Sequence, residues 1–510
     1  MKNKVVLSSI VAALLVSPLN ALNMLDRFEA MEKEMKALKA EILLLKSSDN
    51  EDSEDSAEIA ENEEITDDDD SEDSEEGSVE EQLEEIKENL TDLNIATSGS
   101  HLKFGVDYRF AADNLQYKMA DGSKKQNDAF LTNRLWINMD WAATDTVSFH
   151  GQLAYNKAFG NRGGTSTQNE FENFDWISNE NAYDDTLRVR TAYFYYADEE
   201  FLGSDIPWTF SIGRRSSTNG APINLREDDG LSSPLAHTMN VEFDGLSSKF
   251  SFNEWVDGMK LQFCAGRGLS NASTKFSAAP YAEDESSIPN IDLAGIVFTG
   301  YDDGQYLLKT QYYFAHNLID VVNPMNYSQG FKTVGNMHSA TALFQVNGIG
   351  SEINDFLDDS IFFMSGAVTK TDPDANEGML GSADGESVTG YSYWLGAQVP
   401  SLMSEDGRMG VEYNHGSKHW RSITYGEDTN VGSKIAARGD AYELYFTEYL
   451  VEDILSLQLR YTYIDYDYTG SNGFFGNTTG SASKITSDMP NGSNYVDKAQ
   501  DIRFSIRYKY

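Results

Sequence analysis

From about residue 101 to the C-terminus, apolar and polar residues alternate with a period of two. At the end of the chain Phe504, Ile506, Tyr508 and Tyr510 share one face, and Arg503, Ser505, Arg507 and Lys509 share the other. Leu102, Phe104, Val106, Tyr108 and Phe110 alternate in the same way with Lys103, Gly105, Asp107 and Arg109, as do Leu455 to Tyr463 with Ser456 to Thr462. Such a strand belongs either to a sheet lying on a core or to a barrel with lipid outside and water inside. About sixteen such segments can be marked: 101–110, 129–141, 146–157, 186–197, 207–215, 238–247, 258–267, 292–301, 305–316, 335–347, 360–370, 389–399, 408–416, 439–450, 454–468 and 500–510. Most reach the roughly 9–11 residues that a tilted strand needs to cross a bilayer, against a mode of about 5–6 in soluble sheets.

The links between segments alternate in length. Those at 111–128, 158–185, 216–237, 268–291, 317–334, 371–388, 417–438 and 469–499 are long and polar. Those at 142–145, 198–206, 302–304, 400–407 and 451–453 are short, and Asp303-Gly304 is a tight-hairpin signal. Alternation around an even strand count predicts an all-β antiparallel transmembrane β-barrel of about sixteen strands, with eighteen as the second choice. Closing the first strand on the last removes the edges that lipid could not solvate. A pair of soluble sandwiches is the competing reading, but nothing in a sandwich requires the alternation. Trp136, Trp141, Trp208, Trp255, Trp394 and Trp420 fit interfacial girdles, although packing aromatics would look the same.

The region before the barrel reads differently. Residues 1–21 have a basic start (Lys2, Lys4), an apolar stretch from Val5 to Val16 and a small residue at Ala21, the pattern of an export signal. Residues 22–46 carry a heptad seam of Met24, Phe28, Met31, Met35, Leu38, Ile42 and Leu45, which suits a coiled-coil helix. A shorter amphipathic helix is expected over 79–95, on Val79, Leu83, Ile86, Leu90 and Leu93. Residues 47–78 are mostly Asp, Glu and Ser and should form an acidic, disordered linker; they lack the spaced ligands and glycine of a calcium loop.

Composition adds exclusions. Acidic residues outnumber basic ones 82 to 39, and a net charge of -43 argues against nucleic acid. The single cysteine, Cys264, rules out an internal disulfide and a cysteine-rich zinc site. No G-x-S-x-G, phosphate loop or H-E-x-x-H is present, so neither chemistry nor a cofactor is expected. His150, facing inward with Gln152, and His415, four residues before His419, are the histidines on which a barrel hydrolase would have to draw.

Alternation points Arg109, Arg134, Arg188, Arg190, Lys260, Lys309, Arg460, Arg503 and Arg507 into the lumen, with Arg214 and Arg215 at the end of the fifth strand. The link that follows carries Arg226, Glu227, Asp228 and Asp229 between Pro222 and Pro234. Folded inward, it would set its carboxylates opposite the wall arginines and focus a transverse field. Folded outward, its charges would simply be solvated.

The β-region resembles an uncharacterised family of outer-membrane porin-like proteins with a domain of unknown function, typical of epsilon-class proteobacteria. The phrases that carry the likeness are Leu131 to Trp136, Phe149 to Leu153, Phe210 to Arg215, Ser233 to His237, Glu412 to Ser417 and Gly439 to Glu443. The likeness runs over nearly all of 101–510. It implies a porin-like barrel and names no substrate. Terminal Tyr510 looks like the signal read by outer-membrane assembly machinery. The expected role is therefore passive diffusion of small hydrophilic solutes through a charged aqueous lumen, in a Gram-negative outer membrane. The helical segment would lie in the periplasm, with a homotrimer and peptidoglycan as candidate partners. A barrel hydrolase and a surface adhesin with a closed lumen are the alternatives.

Overall fold

The computed structural model describes residues 102–160, 187–232, 234–272, 283, 288–323, 329–348, 353–404, 406–424, 427 and 429–510. The expected signal, seam, linker and second helix lie outside these residues. Eighteen strands follow in chain order. They are β1 (Leu102–Met119), β2 (Lys124–Ala142), β3 (Val147–Ala158), β4 (Arg188–Asp198), β5 (Trp208–Arg215) and β6 (Met239–Asn240). Next come β7 (Phe243–Ser251), β8 (Lys260–Leu269), β9 (Ile291–Asp302), β10 (Tyr306–Val321), β11 (Phe331–Asn347) and β12 (Ile361–Pro373). The last are β13 (Thr389–Pro400), β14 (Arg408–Gly416), β15 (Ile423–Thr424), β16 (Gly439–Val451), β17 (Leu455–Tyr466) and β18 (Val496–Lys509). Two short helices, α1 (Ile223–Glu227) and α2 (Asp355–Asp358), lie in links.

Sixteen of the strands form one closed antiparallel barrel in chain order, and β1 pairs with β18 to complete the ring, from Asp107 opposite Lys509 to Met119 opposite Val496. The other two, β6 and β15, make a two-stranded parallel pair of their own. The expected strands are present, with one correction. The span 111–128 is not a long loop: β1 and β2 run on as a hairpin and turn at 120–123, around Gly122 at φ 84°. In this extension the outward residues Asn114, Gln116 and Lys118 are polar, so the apolar face that marks a lipid-facing strand is missing.

The alternation sorts side chains by solvent. Phe104 (64% exposed), Val106, Tyr108, Ile296, Leu395, Leu444, Leu459 and Ile506 look outward, while Arg134, Gln311, Ser365, Glu412, Glu443 and Arg503 are buried inside. A soluble protein would do the reverse. Inward glycines admit aromatic rings from the next strand. A Cβ on Gly410 would lie 2.0 Å from the Tyr445 ring, and one on Gly396 would lie 2.2 Å from Phe363.

The tryptophans divide. Trp141 (51% exposed) and Trp255 (70%) face out, but Trp136, Trp394 and Trp420 are buried within the barrel and are not girdle residues. Trp136 follows Arg134 on the inner face, where the guanidiniums of Arg134 and Arg190 stand 3.5 and 4.1 Å from its ring.

Long links fold into the barrel and bring apolar side chains with them. Met379, Leu380, Ile423, Phe474 and Phe475 cluster with inward Leu293, Val297, Tyr313 and Met337. Ala221, Ile223, Leu225, Leu235 and Ile435 cluster with Leu307, Leu343, Phe363 and Trp394. The wall residues of these two clusters lie mainly on β9 to β13, with Phe243 at the start of β7.

Candidate functional site: a charged loop inside the barrel

The link from β5 to β7 is anchored first by apolar contact and then by polar groups that the wall presents. Ile223 and Leu225 of α1 sit in the second apolar cluster, and Asp228 ends the helix in the left-handed conformation at φ 49°. Gln398 donates to the Leu225 carbonyl (2.9 Å) and Gln458 to that of Arg226 (3.0 Å). Further along, the Leu235 amide donates to Gln311 (2.6 Å), whose side-chain amide donates back to the Leu235 carbonyl (2.8 Å). His237 lies between Ser365 and Ser392, with each ring nitrogen 2.8 Å from a hydroxyl oxygen. Burial alone pushes its pKa down to about 3, so the ring is neutral, donating at one nitrogen and accepting at the other.

The tip of the loop is charged and paired. Fully buried Arg226 donates to Glu227 (2.7 Å), Glu443 (2.9 Å) and the Glu427 carbonyl (2.5 Å). Burial opposes the Arg226 charge, but Glu443, Glu227 and Glu412 outweigh it and hold the guanidinium well above its ordinary pKa. Glu227 lies 3.5 Å from Arg460 and 3.8 Å from Arg109. Burial would raise its pKa, yet Arg226, Arg460 and Arg109 hold it well below the carboxylate range. Asp228 accepts from Arg408 (2.7 Å) and Tyr449 (2.5 Å), and Asp229 from Arg507 (2.9 Å) and Lys509 (3.1 Å). Arg507 also binds Asp107 at 2.6 Å and the Glu227 carbonyl. Arg134 binds Asp107 at 3.1 Å, and Arg503 binds Asp113 at 2.6 Å.

Several partners in this network were not singled out from the sequence. Lys434, on the link before β16, bridges Glu412 (2.5 Å) and Glu443. Glu427 on the same link accepts from Ser433 and from the Lys434 amide, and burial raises its pKa to about 7 against those contacts. Glu412 and Glu443 alternate with outward Tyr413 and Tyr442, so the same period that pointed to the arginines would have pointed to them.

The other predicted residues lie elsewhere. Arg190 meets Glu242 (2.9 Å) where the loop rejoins the wall. Arg214 stands opposite Asp244 on the row of outward Ile212, its guanidinium 3.9 Å from that carboxylate. Arg188, Arg215, Lys260 and Lys309 sit on β4, β5, β8 and β10, away from the acidic tip.

Part of the lumen wall stays accessible on β2 and β3. Asp140 and His150 have side chains 55% and 33% exposed. The His150 Nδ1 lies 2.6 Å from Asp140, its Nε2 lies 2.9 Å from the Ser148 hydroxyl, and its ring stacks on Tyr193. His415 is outside the barrel wall, stacked on outward Tyr393 and 2.9 Å from Asp440.

A family model described as a protein of unknown function, DUF3373, matches residues 124–510. The chain belongs to that family. All six motif phrases quoted above lie inside the matched region, and in this DUF3373 chain the stretch Pro234 to His237 is what fastens the inserted loop to the wall. No curated protein matches the sequence. Among solved structures, this DUF3373 barrel is similar to OmpF of Salmonella typhi in complex with daunomycin (TM-score 0.44, 11% identity, 81% of this chain and 99% of that one). It is also similar to an anion-selective porin from Comamonas acidovorans (0.43, 10%, 81% and 100%) and to the trimer form of OmpT, an outer-membrane protein of Vibrio cholerae (0.40, 12%, 80% and 99%).

Proposed function

We propose that the protein is an outer-membrane channel for passive diffusion of small hydrophilic solutes and ions. One observation carries the reading. A closed barrel with an apolar exterior holds a charged loop against one side of its interior, while polar side chains on β2 and β3 remain accessible. Arg226, Glu227, Asp228 and Asp229, with Arg109, Arg134, Arg460, Arg503 and Arg507, would form the fixed side of the constriction. Arg188, Arg215 and Lys260 would face the passage, with Arg190 and Lys309 buried in the wall behind it. Purified protein in a planar bilayer should give ohmic conductance steps of porin size, and silent membranes at high protein load would refute the proposal.

The N-terminal seam over 22–46 supports a trimer held from the periplasm, and its deletion should then lower the oligomeric state. Tyr510 as an assembly signal, the acidic linker as a tether near peptidoglycan, and an epsilon-proteobacterial source rest on the sequence alone. A second reading has its own observation: Ser148, His150 and Asp140 are hydrogen-bonded in the order of a nucleophile, base and orienting acid. A lumenal esterase would hydrolyse p-nitrophenyl butyrate and lose that activity in Ser148→Ala with conductance unchanged.

A further inference from the structure

The carboxylates of the inserted loop have no charge to spare. Glu227, Asp228 and Asp229 are each paired with wall cations, Glu242 with Arg190, and Glu412 and Glu443 with Lys434. The wall from β5 to β10 is different. Arg215, Lys249, Lys260 and Lys309 occupy inward positions there, and among the described residues none of the four has a carboxylate oxygen within 4.0 Å. Arg215 lies over the Tyr193 ring at 5.3 Å.

Register brings the lysines together. Lys260 is opposite Thr299, and Thr299 is opposite Lys309, which places the two lysines on one inner row, two strands or about 10 Å apart. Lys249 is opposite Gln262 and is therefore the diagonal neighbour of Lys260, at about 7–8 Å between backbones. Lys309 lies within range of the charges of Lys249 and Lys260, and Lys249 within range of Lys260 and Arg215. Asp302, whose charge opposes those of the lysines at Lys309, stands at the strand end.

We infer that the wall from β5 to β8 lines the conducting side of the lumen and that Lys249 and Lys260, with Arg215 beside them and the buried Lys309 reinforcing their field, form a binding site for small inorganic anions. The inference rests on the channel reading above. Lysine side chains are long enough to converge on one ion between them, and the Thr299 hydroxyl stands in the same row to donate a hydrogen bond. Because the acidic loop is neutralised by the opposite wall, its charge does not cancel this field.

The test uses the full chain in planar bilayers under a KCl gradient. A unit charge about 4 Å away in water is worth about fivefold in local anion concentration, so the reversal potential should report at least about fivefold preference for chloride over potassium. Inorganic phosphate should lower the chloride current in a saturable manner. Lys249→Gln/Lys260→Gln should abolish both effects, Lys260→Arg should retain them, and Lys370→Gln on the outer face should change neither. Heat-modifiable gel migration establishes that each variant has folded. Conductance that prefers cations, or a ratio unchanged in the double variant, overturns the anion site and leaves the channel reading standing. Absence of any conductance overturns both.

Discussion

Replacing Arg226 by methionine separates charge from packing at the tip of the inserted loop. The guanidinium is fully buried and binds two carboxylates and one carbonyl, all within 2.9 Å. Methionine has nearly the same reach and no donors. Glu443 keeps Lys434, and Glu227 keeps Arg460 and Arg109 at longer range, so each loses one of its partners. Removing one member of a buried charge network costs about 3–5 kcal/mol. The barrel ladder is untouched, so the cost falls on docking of the link 216–242. At 1.4 kcal/mol per factor of ten, the docked-to-undocked ratio should fall by roughly two to three and a half orders of magnitude. Hydrogen exchange read by mass spectrometry on peptides covering 221–240 should quicken by that factor, while strand peptides such as 439–451 keep wild-type protection. Unchanged exchange in the loop would show that apolar contacts of Ile223 and Leu225 hold it without the charges, and the electrostatic account of docking would be wrong.

Other outcomes follow from the same geometry. The buried His237 has a folded pKa below its unfolded one, so the stability it lends is fully present above about pH 6.5 and is lost as the pH falls toward 3, at about 1.4 kcal/mol per unit. Loop protection factors, corrected for the intrinsic pH dependence of amide exchange, should therefore fall on acidification in the wild type and lose that dependence in His237→Gln. On the lipid face, Ile296→Arg near the middle of β9 should cost about 2–4 kcal/mol and lower the yield of heat-modifiable barrel, whereas Lys370→Arg should not. Charge reversal at Glu227, Asp228 and Asp229 should shift selectivity toward anions; an unchanged reversal potential would remove that part of the loop from the conduction pathway.

The strands were legible because two solvents write them: lipid demands apolar residues on one side and water permits anything on the other, so the period persists along Leu455 to Tyr463 and Phe504 to Tyr510. Where lipid ends, the signal ends, which is why the β1–β2 extension read as loop. Trp136 teaches a different lesson. It shares parity with Arg134, so alternation alone places it inside, and grouping it with girdle tryptophans overrode the stronger rule. The direction in which the link 216–242 folds is set by residues far away in sequence, among them Gln311, Ser365, Ser392, Gln398 and Gln458. Each is an ordinary inward polar residue until the loop arrives, so no local pattern marks it.

Strand β18 both seals the ring against β1 and supplies Arg507 and Lys509 to the loop tip. Arg507 is gripped from both sides, opposite Ser456 of β17 and opposite Arg109 of β1. The tip of the inserted segment is therefore moored at the very seam where the hoop closes, so that parting β1 from β18 would disturb the grip on Asp229 as well.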